Sequence, residues 1–364
     1  MRIKYGIPFL LLFLFYTCET NTGDTHLSSE SYNNYVKVPS SVSGIDFINK
    51  IEHNLASKSN LFDYDYFYNG SGVGIADFNN DGLKDVFLCA NQAQNRLYLN
   101  KGDLTFEDIT QTSNINTNKG WSSGVTFADI NQDGWIDIYI SQGGPYQREK
   151  RKNLLLINQG DLTFKEKAAE YGLDDSGIST QSAFFDYDKD GDLDCIVMNE
   201  NDYYGLDPVR FYKLFENKER LKNNSSHLYE QKEGKFIDIT EKAGLLKPSF
   251  GLGLCVSDLN NDNWLDIYIA NDYYVPDAMY INNGNGTFTD EIKNATKQIS
   301  FYGMGVDIAD INNDNLKDIY VLDMASSDHV RSKTLMASMS TSNFDLITKE
   351  LDLHYQYIFD FLYL

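Results

Sequence analysis

Five short strings in this chain place oxygen-bearing side chains at positions one, three, five and nine. They are Asp77, Asn79, Asp81 and Asp85; Asp129, Asn131, Asp133 and Asp137; Asp186, Asp188, Asp190 and Asp194; Asp258, Asn260, Asp262 and Asp266; and Asp310, Asn312, Asp314 and Asp318. Calcium takes six to eight hard oxygen ligands, and alternate residues of a tight loop can supply several of them to one centre. The backbone carbonyl of position seven would add another, from Leu83, Trp135, Asp192, Trp264 or Leu316. Position six is Gly82, Gly134, Gly191, Asn263 or Asn315, residue types that tolerate the left-handed backbone a wrapping loop needs.

Helix–loop–helix calcium sites open with the same string, but they close with a bidentate Glu at position twelve and a helix on each side. Position twelve here is Leu88, Ile140, Val197, Ile269 and Val321, and the flanks are β-branched and aromatic. That excludes the helical alternative. Glycine-rich β-helix repeats are excluded by period, since theirs is far shorter. An isolated string of this kind also forms plain Asx turns. Five in register, each with the ninth-position Asp, point to metal.

The first residues of the strings are 52, 57, 72 and 52 positions apart, which is one supersecondary unit per repeat. A Gly-led apolar run precedes each loop, as in Gly124–Ala128. A β-rich run such as Asp137–Ser141 follows it, then a third run such as Arg96–Asn100. A Gly-containing turn next leads to a fourth, as in Asn283–Thr289. Four short strands joined by turns form an antiparallel meander, and radial repetition of that meander makes an all-β propeller. The expectation is therefore about five four-stranded antiparallel blades over residues 44–364, with one calcium loop per blade. The fifth repeat reaches only its third run, at Tyr355–Leu364, so a fragment or a truncated gene is expected. Gly44–Lys50 resembles a fourth run without a repeat of its own. It is expected either to close a small five-bladed ring by pairing with Phe359–Leu364, or to lie loose from an incomplete one. Insertions at Pro145–Lys152, Asn201–Gly234 and Ala325–Leu353 are expected on the surface, the last with helix around Ser342–Leu353.

The chain has 364 residues, 14% of them aromatic, with a formal charge of -22, which makes nucleic acid an unsuitable partner. Sixteen of its 53 acids occupy positions one, three, five and nine of these loops, so the acidity is in part a metal-site signature. Arg2 and Lys4 followed by the apolar run Ile7–Phe15 read as a signal peptide over residues 1–18, too short to span a bilayer. Cys18 then stands at the position of a lipid acceptor, with a linker over 19–43. An ordinary cleaved signal peptide, and hence a periplasmic or secreted protein, is the alternative. Cys89, Cys195 and Cys255 each lie in an apolar run and read as free thiols.

The strings and their flanks, Asp129–Asp137 with Ile138-Tyr139-Ile140 above all, resemble the FG-GAP (VCBS-type) repeats of integrin alpha-type propellers. The overall order resembles exported Bacteroidota lipoproteins that carry such repeats ahead of an ASPIC/UnbV-type domain. The resemblance implies a β-propeller, calcium at the loop positions, and an outer-membrane or cell-surface location. The function expected is a binding or adhesion module for an extracellular protein or glycan, with the membrane touched only through the lipid. The alternative is a polysaccharide-active hydrolase or lyase on the same scaffold, for which Asp202, Asp207, Asp272 and Asp277 are the candidate acids. No Ser-His-Asp or Cys-His arrangement stands out, and the five His are scattered through loops and insertions.

Overall fold

Runs such as Asp137-Ile-Tyr-Ile-Ser-Gln142 are β-branched and aromatic, and they are bounded by Asp, Asn and Gly that favour turns. In the computed structural model they form strands. The structure describes residues 35–117, 120–203, 205–326, 328, 330–331 and 344–364. The segment read as signal peptide, with Cys18, and most of the linker lie outside the described residues. Residues Ser40–Leu364 make up one compact unit, beginning four residues before Gly44.

Four sheets each hold four antiparallel strands in chain order. The first comprises β1 (Val73–Ala76), β2 (Asp85–Leu88), β3 (Arg96–Asn100) and β4 (Phe106–Asp108). The second comprises β5 (Ser122–Ala128), β6 (Asp137–Gln142), β7 (Leu154–Asn158) and β8 (Phe164–Glu166). The third comprises β9 (Ser179–Phe185), β10 (Asp194–Asn199), β11 (His227–Lys232) and β12 (Lys235–Asp238). The fourth comprises β13 (Gly251–Ser257), β14 (Asp266–Asn271), β15 (Ala278–Asn282) and β16 (Phe288–Asp290). A two-residue strand, β17 (Ile299–Ser300), precedes the fifth sheet and pairs in parallel with β20 (Gln356–Tyr357). The fifth sheet orders β18 (Gly303–Ala309), β19 (Asp318–Asp323) and β21 (Phe361–Tyr363). Its third run is the one read at the chain's last residues, with Phe361 opposite Val321 and Tyr363 opposite Ile319. This is the all-β architecture of propeller blades.

First strands of successive blades lie side by side. Thr126 on β5 donates its hydroxyl to the Ser182 carbonyl of β9 at 2.7 Å, and the Thr180 hydroxyl reaches the Gly251 carbonyl of β13 at 2.9 Å. Apolar layers fill the space between blades. Phe87 and Leu97 pack with Ile138 and Leu156, and Tyr139 and Leu155 pack with Cys195 and Val197. Cys89 and Cys195 are buried free thiols, and Cys255 is a half-buried one.

The outward faces of the terminal blades are left open. Every residue of β6, β10 and β14 is buried, whereas Tyr320 and Leu322 of β19 are 36% and 48% exposed. Val73 and Ile75 of β1 are each 64% exposed. The five blades therefore do not close a small ring on one another.

Gly44–Lys50 corrects the sequence reading. It is not a strand and does not pair with Phe361–Tyr363; it leads into the first blade. The Tyr98 hydroxyl donates to Asp46 at 3.2 Å, and Asn49 and Asn91 are joined at 2.7 Å. The physical reason is Gly44 itself, at φ 76° after the short helix Ser40–Ser43. Gly172 and Gly244 have the same left-handed backbone, at φ 84° and 86°, in the connections that enter the third and fourth blades. A left-handed glycine ends a helical turn and sends the chain onward, so this segment is an inter-blade connection and not a spare fourth strand.

Candidate metal loops

Each Asp-rich string is the hairpin between the first and second strands of a blade, so all five stand at one end of the sheets. Position one closes the loop. Asp77 accepts the N–H groups of Asp81 (3.1 Å) and Gly82 (2.8 Å), and Asp129, Asp258 and Asp310 do the same in their own loops. Position five accepts the N–H of position seven, at 2.8 Å for Asp81–Leu83, 2.9 Å for Asp133–Trp135 and 2.8 Å for both Asp262–Trp264 and Asp314–Leu316. Positions four and six take the left-handed backbone in every loop, including Asn263 and Asn315 at φ 69°. Asparagine thus does the work of glycine in the fourth and fifth loops.

The ninth-position Asp is the most deeply set. Asp85, Asp137, Asp194, Asp266 and Asp318 are at most 1% exposed. One oxygen accepts the N–H of position two: Phe78, Ile130, Tyr187, Leu259 or Ile311, at 2.8–3.0 Å. The other accepts the N–H that ends the third strand, from Asn100, Asn158, Gln231 or Asn282, at 2.8–2.9 Å. Position nine therefore clasps loop to sheet, and each oxygen keeps a lone pair for a cation. Burial outweighs these bonds and pushes Asp137 up to about 6 and Asp194 up to about 7.

The third loop brings its acids closest. Carboxylate oxygens of Asp186, Asp188 and Asp194 all lie within 4.8 Å of one another. In the other loops the position-three residue is an Asn whose amide donates to the position-five Asp, at 2.8 Å for Asn79, Asn131 and Asn260 and 3.1 Å for Asn312. Neighbouring loops also touch. Asn80 donates to the Gly134 carbonyl (3.1 Å), Gln132 to that of Gly191 (3.4 Å), and the Lys189 ammonium sits 4.0 Å over the Trp264 ring.

A family model described as an FG-GAP-like repeat matches residues 77–140 and 258–321. Each match runs from position one of one loop to position twelve of the next. The chain carries FG-GAP-like repeats. The chain is similar to cartilage acidic protein 1 of Xenopus tropicalis, 28% identical over 202 residues, which are 55% of this chain and 28% of that protein. It is also similar to integrin alpha-8 of Gallus gallus, 31% identical over 107 residues, 26% of this chain and 10% of that one. The chain thus spans less than a third of the curated relatives it matches. Among solved structures, the V. cholerae biofilm matrix protein Bap1 aligns with TM-score 0.40 and 13% identity, over 70% of this chain and 35% of that one.

The four candidate acids of the enzyme alternative all have structural partners. Asp202 pairs with buried Arg151 at 2.8 Å, and Asp207 caps the helix Pro208–Leu214. Asp272 accepts the Tyr66 hydroxyl (2.6 Å), and Asp277 accepts the Tyr268 hydroxyl (2.8 Å) and the Asn271 N–H (2.9 Å). Asp277 occupies a repeated place just before the third strand. Asn95 and Asn153 stand there in the first two blades and accept the N–H groups of Ala90, just past β2, and Gln142, the last residue of β6.

Sequence reasoning missed two features. One is the Asn at the end of the third strand, visible as Leu-Asn100, Ile-Asn158 and Ile-Asn282. The other is an aromatic strap ahead of the first blade. Tyr64, Tyr66 and Phe67 pack with Trp121 and Ile178 at the end of the sheets away from the metal loops, and the Tyr273 hydroxyl donates to Asp65 at 2.5 Å.

Proposed function

We propose that this chain is an exported, calcium-stabilised propeller module that binds an extracellular protein or glycan through the end opposite its metal loops. The observation that carries this reading is the division of labour between the two ends. One end repeats the same hard-oxygen loop five times. The other gathers the irregular parts: the second-to-third-strand connections at 143–153, 200–203, 205–226 and 272–277, and the strap. Function collects on loops held by a rigid scaffold.

The residues suit calcium. Their donors are carboxylates, amide oxygens and carbonyls, and oxygens of Asp186, Asp192 and Asp318 are buried without a hydrogen-bond partner. When bound, the ion would supply charge neutralisation and loop closure. The opposite end is rich in aromatics: Tyr203, Tyr212, Tyr273 and Tyr274 pack half-buried around buried Phe211 and Phe215, and Phe62, just before the strap, is 89% exposed. Exposed rings favour glycan or protein contacts. The basic run near Arg148 is partly built into the fold, since Arg148 donates to the Asn223 carbonyl at 2.6 Å.

No described helix is long and apolar enough to cross a membrane, and attachment is assigned to a lipid on Cys18. Cys18→Ala should release the protein from membranes and abolish fatty-acid labelling. The function itself is tested by a glycan and extracellular-matrix binding screen with calcium and with chelator. Retention that needs calcium supports the module, whereas turnover of a labelled polysaccharide would replace it with the enzyme reading.

A further inference from the structure

We infer that the third loop is a cation site distinct from the other four, filled first and held tightest, with donors extending to the side chains of Asp192 and Gln231. The inference rests on the calcium reading above and goes beyond it by ranking the sites.

In the other four loops the position-three Asn donates its amide to the position-five Asp. Among the described residues, three of these loops leave no buried oxygen without a partner, and the fifth leaves one on Asp318. The third loop has Asp188 in that place, which has no such hydrogen to give. Two of its closing bonds are longer than their counterparts: Gly191 N–H to Asp186 is 3.2 Å and Asp192 N–H to Asp190 is 3.1 Å, where the other loops have 2.8–2.9 Å. It holds five carboxylates, where each of the others holds three. One oxygen of Asp186 and one of Asp192 are buried and unpartnered.

A residue outside the loop points the same way. Third strands of the first, second and fourth blades end in Asn100, Asn158 and Asn282, but the third blade has Gln231, one methylene longer. The Gln231 N–H still clasps Asp194 at 2.9 Å. Its side-chain amide instead lies toward the Asp192 carboxylate at position seven and favours the charged form of that acid. Gln231 is only 5% exposed, and its amide oxygen has no partner. A buried, unsatisfied amide oxygen beside converging carboxylates is a hard ligand held ready for a cation. The loop's own cation, Lys189, is held over the Trp264 ring of the next loop. Greater ligand charge raises affinity for calcium, because the ion relieves carboxylate repulsion as well as gaining contacts.

The test is a calcium titration of the whole chain after chelation, followed by calorimetry and by tryptophan emission. One site should bind ~10-fold or more tightly than the rest, and emission should change during that first step, because Lys189 covers Trp264. Asp188→Asn gives the third loop the donor pattern of its neighbours and should remove the tight step while retaining the weaker ones. Gln231→Met keeps the backbone clasp and should weaken the tight step ~3-fold or more. Asp133→Asn in the second loop should leave the tight step in place. A single affinity for all sites, or a tight step unchanged in both Asp188→Asn and Gln231→Met, overturns the ranking and leaves the calcium reading standing. No heat and no emission change with calcium would overturn the calcium reading itself.

Discussion

Asn158 donates its side-chain amide to the carbonyl oxygen of Phe78, 80 residues earlier, at 2.9 Å. The same amide reaches the Ile136 carbonyl (3.2 Å), its oxygen accepts the Gly160 N–H (3.0 Å), and its backbone N–H clasps Asp137. One side chain at 1% exposure thus ties the first metal loop, the second loop and the hairpin after β7. Asn282 repeats the arrangement with the Tyr187 carbonyl at 2.8 Å. Asn158→Ala would strand buried carbonyls, which costs about 1–3 kcal/mol. Asn100, whose amide reaches only the exposed Lys84 carbonyl, should cost well under half as much when changed to Ala. Urea denaturation of the two variants checks the difference; equal losses would contradict it.

Calcium should raise the melting temperature. If an ordinary loop binds on the order of 10⁻⁴ M, a hundredfold excess stabilises the native state by about 2.7 kcal/mol per site. Asp133→Ala removes the position-five ligand of the second loop and the acceptor of the Trp135 N–H. It should lower the bound stoichiometry by one and shrink the calcium-dependent rise in melting temperature. A full calcium response in that variant would show that the second loop holds no ion.

Sequence alone revealed the loops and the four-strand order of a blade because both are written locally, although the buried strand β11 (His227–Lys232) lies within Asn201–Gly234, which reads as a surface insertion. The ninth-position Asp, the left-handed sixth position and the apolar twelfth all lie within one hairpin, so their spacing survives in every repeat. What stayed hidden depends on contacts between blades. Nothing near Asn158 marks Phe78 as its partner, and the Tyr66–Asp272 bond joins residues 206 apart. Gly44 misled because Gly-Ile-Asp-Phe reads as a strand start, although Tyr171-Gly172-Leu173 and Ala243-Gly244-Leu245 carried the better parallel. The structural partners of the candidate acids stayed hidden for a related reason. Asp277 looks like a free carboxylate until Asn95 and Asn153 are seen in the same structural role.

The buried pair of His227 and Asp175 sets a pH window. His227 Nδ1 lies 2.5 Å from Asp175, and Nε2 lies 2.7 Å from the Lys222 carbonyl. Both partners only accept, so the ring carries two protons. Burial opposes that charge, but Asp175 overcomes it and raises His227 to about 9. Asp175, despite its own burial, is held below the usual carboxylate range by His227, the Gly177 N–H and the Tyr229 hydroxyl. The His contribution is full below an unfolded pKa of about 6.5 and is lost as pH rises through about 9. The Asp contribution is present above about 3.9 and is lost as pH falls toward its depressed native value. In chelator, wild-type stability should therefore decline between pH 7 and 9, whereas His227→Gln should be less stable by about 3–5 kcal/mol at pH 6 and decline less over that interval. Parallel pH profiles for the two proteins would refute the pairing.

Close approach of first strands in neighbouring blades gives the last expectation. A Cβ added to Gly253 would stand 2.8 Å from the Val306 N and 2.9 Å from the Gly305 backbone, with no flexible side chain to move aside. Gly305, two residues into the neighbouring strand β18, faces the opposite situation: its added Cβ would meet only Leu322 Cδ1, at 3.9 Å. Neither residue needs a left-handed backbone, so the comparison isolates packing between β13 and β18 from chain conformation. Gly253→Ala must push the fourth and fifth blades apart and should cost about 1–3 kcal/mol. Gly305→Ala should be neutral or slightly stabilising, since it reduces the freedom of the unfolded chain. Thermal melts of both variants in saturating calcium decide the matter. Should Gly253→Ala melt with the wild type, the first strands are not in the contact described, and the order in which blades share their inner edges would have to be redrawn.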